Sequence, residues 1–201
     1  MKTNKSNRVR IIGGIHRNRR IVFPNLPSLR PTSDRMRETL FNWLQPTIDG
    51  SHCLDLFAGS GILGLEAVSR QARQVVMIDI APQVVQQLRN NLQLLNINQD
   101  ITQNITQVEV IQADALHWLR QPIGKLKKFD IIFIDPPYEA KLTFITCKLL
   151  EQFGWIHTET LLYLECPKIA SPPILPENFS IIKKRFMGQV WGGLAVSNTI
   201  L

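Results

Sequence analysis

Apolar positions follow two rhythms along this chain, and the change comes at Gly50. Before it, "RVRIIGG" and "RRIVFP" are short β-prone runs joined through "IHRNR". They predict a hairpin in which Gly13, Gly14 and Asn18 supply residues that tolerate positive φ. A connector, "PNLPSLRPT", leads into "SDRMRETLFNWL", where Met36, Leu40, Trp43 and Leu44 share one helical face. Ser33 or Asp34 can cap that helix, and Pro46 lies just past its end.

After Gly50, strand and helix patterns alternate. "HCLDLF", "QVVMIDI", "VEVIQA", "FDIIFI" and "LLYLEC" read as strands. The segments between them read as helices: "ILGLEAVSR", about Pro82 to Asn96, "DALHWLR", and about Glu139 to Phe153. "NFSIIKKRF" and "GQVWGGLAV" close the chain as two strands able to pair. The alternation predicts an α/β fold: a Rossmann-like, open, doubly wound, mostly parallel sheet of seven strands with an antiparallel C-terminal hairpin. Residues 1–30 form a small β-hairpin extension in this reading, and 31–201 form the α/β domain. Ligands of such sheets sit at the carboxyl ends of the strands, near the switch point.

Composition changes the picture in one respect. The chain has 201 residues, 44% of them hydrophobic, enough for one domain with a full core. No apolar run approaches the roughly 20 residues of a membrane span. Residues 1–33 hold eight basic side chains (Lys2, Lys5, Arg8, Arg10, Arg17, Arg19, Arg20, Arg30) and no acid, whereas the remainder sums to −1. The formal charge of +7 is therefore a basic arm on a nearly neutral body, which suggests a polyanionic partner or a solvated tail. Cys53, Cys147 and Cys166 are widely spaced in apolar segments, and the four histidines show no ligand spacing. Neither a disulfide framework nor a metal site is expected. The strand-like patterning of the basic start favours a cytoplasmic protein over one with a transit peptide.

The candidate chemistry lies at strand ends. Gly59-Ser60-Gly61-Ile62-Leu63-Gly64 is G-x-G-x-x-G between a predicted strand and a predicted helix. Asp79, 20 residues on, closes the second strand, where an acid can accept from ribose hydroxyls. A dinucleotide and S-adenosylmethionine both fit this much. Asp55, four residues before Gly59, repels a pyrophosphate and attracts an ammonium or a sulfonium; it can also simply hold the glycine loop. Asp114 can accept from an adenine amino group or cap its own helix.

"FDIIFIDPPYE" ends a buried strand at Asp135-Pro136-Pro137-Tyr138. An exocyclic amine is a poor nucleophile because its lone pair is delocalised into the base. Two acceptors, the Asp135 carboxylate and the Pro136 carbonyl, can grip its hydrogens and orient it. The prolines stiffen that grip, and the Tyr138 ring can stack on an unpaired base.

The strings "RIIGGIHRNRRIVFP", "RPTSDRMRETLFNWL", "DLFAGSGILGLEA", "DPPY" and "GQV" together resemble the RsmD family. These are class I S-adenosylmethionine-dependent enzymes that methylate guanine N2 in bacterial 16S ribosomal RNA. The resemblance runs from about Arg8 to Val190. It implies S-adenosylmethionine as cofactor, held by Asp55, Phe57, Gly59, Ser60, Gly61, Asp79, Ile80, Asp114 and Ala115, with Thr32 at its methionine end. It implies a catalytic loop from Asp135 to Tyr138, and a hairpin whose Arg8, Arg10, Arg17, Arg19 and Arg20 grip RNA phosphates. The expected partner is 16S ribosomal RNA within the small subunit or an assembly intermediate, met by a monomer. Methylation of adenine N6 in DNA or RNA, an NAD-dependent oxidoreductase and a catalytically silent RNA-binding module are the competing readings. Two departures stand out: Asn18 replaces a usual glycine, and Gly192-Gly193 interrupts the last strand, which is expected to weaken it.

Overall fold

The computed structural model describes residues 7–27, 29–97, 106–122, 128–137, 140–167 and 172–198. β1 (Asn7–Arg10) and β2 (Arg20–Phe23) pair as an antiparallel hairpin. After α1 (Asp34–Leu44) come β3 (His52–Asp55), α2 (Ile62–Ser69), β4 (Gln74–Asp79), α3 (Pro82–Leu94) and β5 (Gln107–Gln112). The chain continues through α4 (Ala115–Leu119), β6 (Phe129–Ile134), α5 (Ala140–Gln152), β7 (Ile156–Pro167), β8 (Phe179–Met187) and β9 (Val190–Ser197). The seven-stranded sheet has the order β5-β4-β3-β6-β7-β9-β8. β3 to β7 run parallel, and β9 runs antiparallel between β7 and β8. This is the doubly wound sheet with an antiparallel C-terminal hairpin that the pattern predicts.

Alternation along the strands sends their side chains into two cores. Cys53, Val75, Met77, Ile131, Phe133, Tyr163 and Leu194 join one core with residues of α1, α2 and α3. Leu54, Val76, Ile78, Ile132, Ile134, Leu162 and Trp191 join the other with residues of α4 and α5. Both faces of the central strands are covered, which is why "FDIIFI" reads as a near-continuous apolar run. β7 begins five residues earlier than its apolar stretch. Its register against β6 shifts between Phe129 and Ile131, and Thr160 stitches the irregular part by donating to the Phe129 carbonyl at 2.7 Å. The polar "HTET" hides that part of the strand from a reading by alternation.

The hairpin is built into the body. Ile11 and Ile21 are fully buried in the core of α1 to α3. Val22 exchanges two hydrogen bonds with the Asn91 side chain of α3, at 3.1 and 2.8 Å. The loop between its strands docks on the end of α2, where Ile15 N–H donates to the Ser69 carbonyl at 2.8 Å. Gly14 (φ 74°) and Asn18 (φ 67°) take the positive φ expected of them. Gly13 serves by its size, since a Cβ there would meet the Arg70 guanidinium at 2.1 Å.

α1 turns a different face inward from the one expected. Met36, Leu40 and Leu44 are buried, but so are Arg37 and Phe41, while Trp43 is only half-buried. The stripe rotates because Arg37 reaches Glu66 of α2 and the Arg70 guanidinium lies 4.5 Å over the Phe41 ring.

The Gly192-Gly193 pair does not leave β9 loose; the strand is paired along both edges. A Cβ on Gly192 would meet Met36 Sδ at 2.7 Å and the Tyr163 hydroxyl at 2.9 Å. The bare backbone lets α1 lie close to the sheet. Gly192→Ala is expected to destabilise the fold by about 1–3 kcal/mol through overpacking. A lower denaturant midpoint at unchanged slope checks this.

Candidate active site

The site forms at the carboxyl ends of β3, β4, β6 and β7. β3 and β6 are neighbours, yet β3 leads into α2 on one face and β6 into α5 on the other. A crevice opens where such connections diverge.

The glycine loop lines one side of it. Gly59 (φ 51°) and Gly61 (φ 75°) take left-handed backbone, and Gly61 starts α2. Gly64 permits close packing, because a Cβ there would meet Met77 Sδ of β4 at 2.7 Å. Ser60 and Gly61 are buried in the turn, and Ser60 Oγ lies 3.4 Å from Ile62 N. Asp79 ties two loops together, accepting from Gly59 N–H at 2.9 Å and from Ala81 N–H at 2.8 Å. Phe57 is half-buried against the α4 and α5 side. Ile80, beside Asp79, is 65% exposed and offers an apolar face at the rim. Across from it, Asp114 caps α4 by accepting from His117 N–H at 2.7 Å, and Ala115 is buried.

Asp55 lies beneath the loop, with Oδ2 accepting from Gly64 N–H at 3.0 Å. Burial pushes its carboxyl up to about 7, the Gly64 bond pulls it back, and the Asp79 carboxylate adds to the rise. Asp135 follows β6 directly and is half-buried, as is Pro136, while Pro137 is exposed. Burial, then the Glu165 and Asp55 carboxylates, hold the Asp135 carboxyl well above the usual carboxylate range. Tyr138 lies outside the described residues.

Glu165 is the site residue that the sequence reading missed. Ile134 pairs with Leu164, so Asp135 and Glu165 stand at the same level of adjacent strands. Glu165 Oε2 accepts from the Tyr163 hydroxyl at 2.7 Å and from Thr32 Oγ1 at 3.0 Å. Thr32 is thereby fixed at the rim, 133 residues away in sequence from its partner. The signal was available: Glu165 is an acid near the end of an apolar strand, as Asp55, Asp79 and Asp135 are. None of these four carboxylates is in an ion pair among the described residues.

The structure brings the arginines of the hairpin only partly together. The β1–β2 register puts Arg8, Arg10 and Arg20 on one face. Arg10 is tied to Asp34 at 2.9 Å and Arg19 donates to the Leu94 carbonyl at 2.9 Å. Arg8, Arg17 and Arg20 are exposed with no ion pair among the described residues. Among those residues, no group of three acids, histidines or cysteines is placed to hold a metal ion. No helix there is long and apolar enough to cross a membrane.

A family model described as "Conserved hypothetical protein 95" matches residues 9–193. The ribosomal RNA small subunit methyltransferase D of Haemophilus influenzae is 42% identical over 187 residues, 93% of either chain. This chain belongs to that methyltransferase D family. A solved structure described as a putative methyltransferase from Escherichia coli superposes with a TM-score of 0.82 at 40% identity, covering 95% of this chain and 98% of that one. The fold extends further still. The Thermus thermophilus 16S rRNA N2 G1207 methyltransferase, solved with AdoMet and guanosine, shares it at 18% identity and a TM-score of 0.63, with 97% of this chain and 50% of that one covered. The family model's match begins at residue 9, within β1.

Proposed function

We propose that this protein transfers a methyl group from S-adenosylmethionine to the exocyclic N2 of a guanine in 16S ribosomal RNA, within the small subunit or an assembly intermediate in the cytoplasm. The observation that carries the reading is a rim of four carboxylates, none of them in an ion pair among the described residues, beside a rigid Asp-Pro-Pro segment. Such a rim suits a cationic ligand and disfavours a pyrophosphate, which speaks against NAD. Asp79 would hold the ribose, Ile80 and Asp114 the adenine, and the turn from Gly59 to Gly61 the aminoacyl end. The bound cofactor supplies an electrophilic methyl group.

The remaining chemistry falls to the chain. The Asp135 carboxylate and Pro136 carbonyl accept the two N–H groups of the target amine and aim its lone pair. As nitrogen gains a fourth bond its protons become acidic, and Asp135 or water takes one. Incubating purified small subunits with the protein and the cofactor, then digesting the RNA for mass spectrometry, tests this. N2-methylguanosine is expected; N6-methyladenosine instead would favour the adenine reading and overturn ours.

Only the ionised Asp135 can take a proton, and it is the stronger acceptor; its carboxyl is raised above the usual range. Activity should therefore rise with pH through that raised value. Glu165→Gln removes a neighbouring negative charge, so the midpoint of the acid limb should move to lower pH. An unmoved limb would separate Glu165 from the titration of Asp135.

Replacing Arg8, Arg17 and Arg20 with Ala should flatten the salt dependence of RNA binding. Each lost phosphate contact lowers the slope of log K against log salt by about 0.7–0.9. An unchanged slope would remove the hairpin from the interface.

A further inference from the structure

By sequence the basic charge lies in the first 33 residues, and Lys183-Lys184-Arg185 has no role in that account. The run lies on β8, the edge of the sheet, where all three residues are exposed. Lys183 pairs with Leu194 of β9, and Arg185 pairs with Gly192. Cross-strand partners share a face of the sheet. Leu194 belongs to the core beneath α1, and a Cβ on Gly192 would point at Met36 of α1. Lys183 and Arg185 therefore emerge on the α1 side.

There the run lines a groove of about 460 Å³ with Thr39, Asn42 and Trp43 of α1. None of the three cations is in an ion pair among the described residues, although Glu38 is exposed one turn before Asn42. Trp43 is half-buried and forms part of the wall. We propose that this α1–β8 groove is a second RNA-binding surface, holding backbone phosphates on Lys183 and Arg185 and an unpaired base against Trp43. The proposal rests on reading the chain as an RNA methyltransferase, and names where that RNA runs beyond the hairpin.

Position supports it. Arg185 aligns through Gly192 with Glu165, and Glu165 stands beside Asp135. Three strand spacings of about 4.8 Å put Arg185 about 14 Å from the Asp135 strand. That distance is a few nucleotides of RNA backbone from the target base. Lysines on an edge strand also discourage strand pairing between molecules. That duty requires neither a groove nor an aromatic wall.

The test uses the full chain carrying K183Q and R185Q together, with small-subunit RNA and purified small subunits as probes. The salt slope for RNA should fall by about 1.4–1.8, with KM for RNA raised several-fold. Affinity for S-adenosylhomocysteine and the melting temperature should stay unchanged. A separate W43F variant should lose the tryptophan quenching that RNA produces in the wild type. An unchanged RNA slope beside a wild-type protein that binds and methylates overturns the groove alone. Weaker binding to the subunit with naked-RNA binding intact assigns the surface to a protein contact and also overturns it. A wild-type protein with no affinity for small-subunit RNA overturns both the groove and the function beneath it.

Discussion

Asp135→Ala should lower kcat for methyl transfer by about 10²–10³-fold, the usual loss when one preorganised polar group is removed from a reacting centre. The Pro136 carbonyl remains but holds only one of two hydrogens, so the amine is free to lie flat and unreactive. Cofactor affinity should stay within a few fold, because Asp79 and the glycine loop keep their hydrogen bonds. Stability should not fall. Burial, then the Glu165 and Asp55 carboxylates, raises the Asp135 pKa, so removing the carboxyl relieves both costs. Single-turnover transfer, S-adenosylhomocysteine titration and thermal melting separate these effects. Near-wild-type turnover in the variant would remove Asp135 from the chemistry.

Arg37→Met should cost about 3–5 kcal/mol of folding stability, the range for breaking a buried ion pair on one side. For a chain of this size that is about 6–20 °C in Tm. Arg37 and Glu66 are both fully buried and hydrogen-bonded to each other. Arg37 also donates to the Thr32 carbonyl at 3.1 Å, the Arg10 carbonyl at 2.9 Å and Asp34 at 2.6 Å. Glu66 accepts from Ile12 N–H at 2.7 Å and from Arg70 at 3.0 Å. Burial pushes the Glu66 carboxyl up, and the Ile12 N–H and the two guanidinium groups pull it back. With Arg37 gone, burial dominates and the carboxylate loses its nearest cation. The double variant R37M/E66Q should recover part of the loss, because it no longer buries a carboxylate with only Arg70 left to pair it. A small effect of R37M alone would show that the network contributes little to stability.

The same network bears on function, because it fixes Thr32 and the hairpin relative to α2. R37M that still folds should therefore bind RNA more weakly than its distance from the crevice suggests.

Much of the site was legible before any coordinates. G-x-G-x-x-G between strand and helix located the loop. Apolar runs ending in acids located Asp55, Asp79 and Asp135 on one rim, because parallel strands share a direction. The same rule reaches Glu165, passed over only because nothing after it resembled a catalytic loop. Arg37 is buried in α1, and helical spacing alone does not show that a charged residue of an amphipathic helix turns inward. The Gly-Gly pair looked like a weak strand because no sequence shows the helix that needs the space.

Alternation with period 2 or 3.6 is a local property, so the order of elements, the parallel sheet and its acid rim were fixed by residues within a few positions of one another. The partners of polar groups were not. Glu66 meets Ile12 across 54 residues and Thr32 meets Glu165 across 133. Lys183 and Arg185 gain an aromatic wall only because β9 inserts between β7 and β8 and α1 lies across it. Whether a charge is solvated, buried or set in a groove depends on what the folded chain places against it, and only packing in three dimensions decides that.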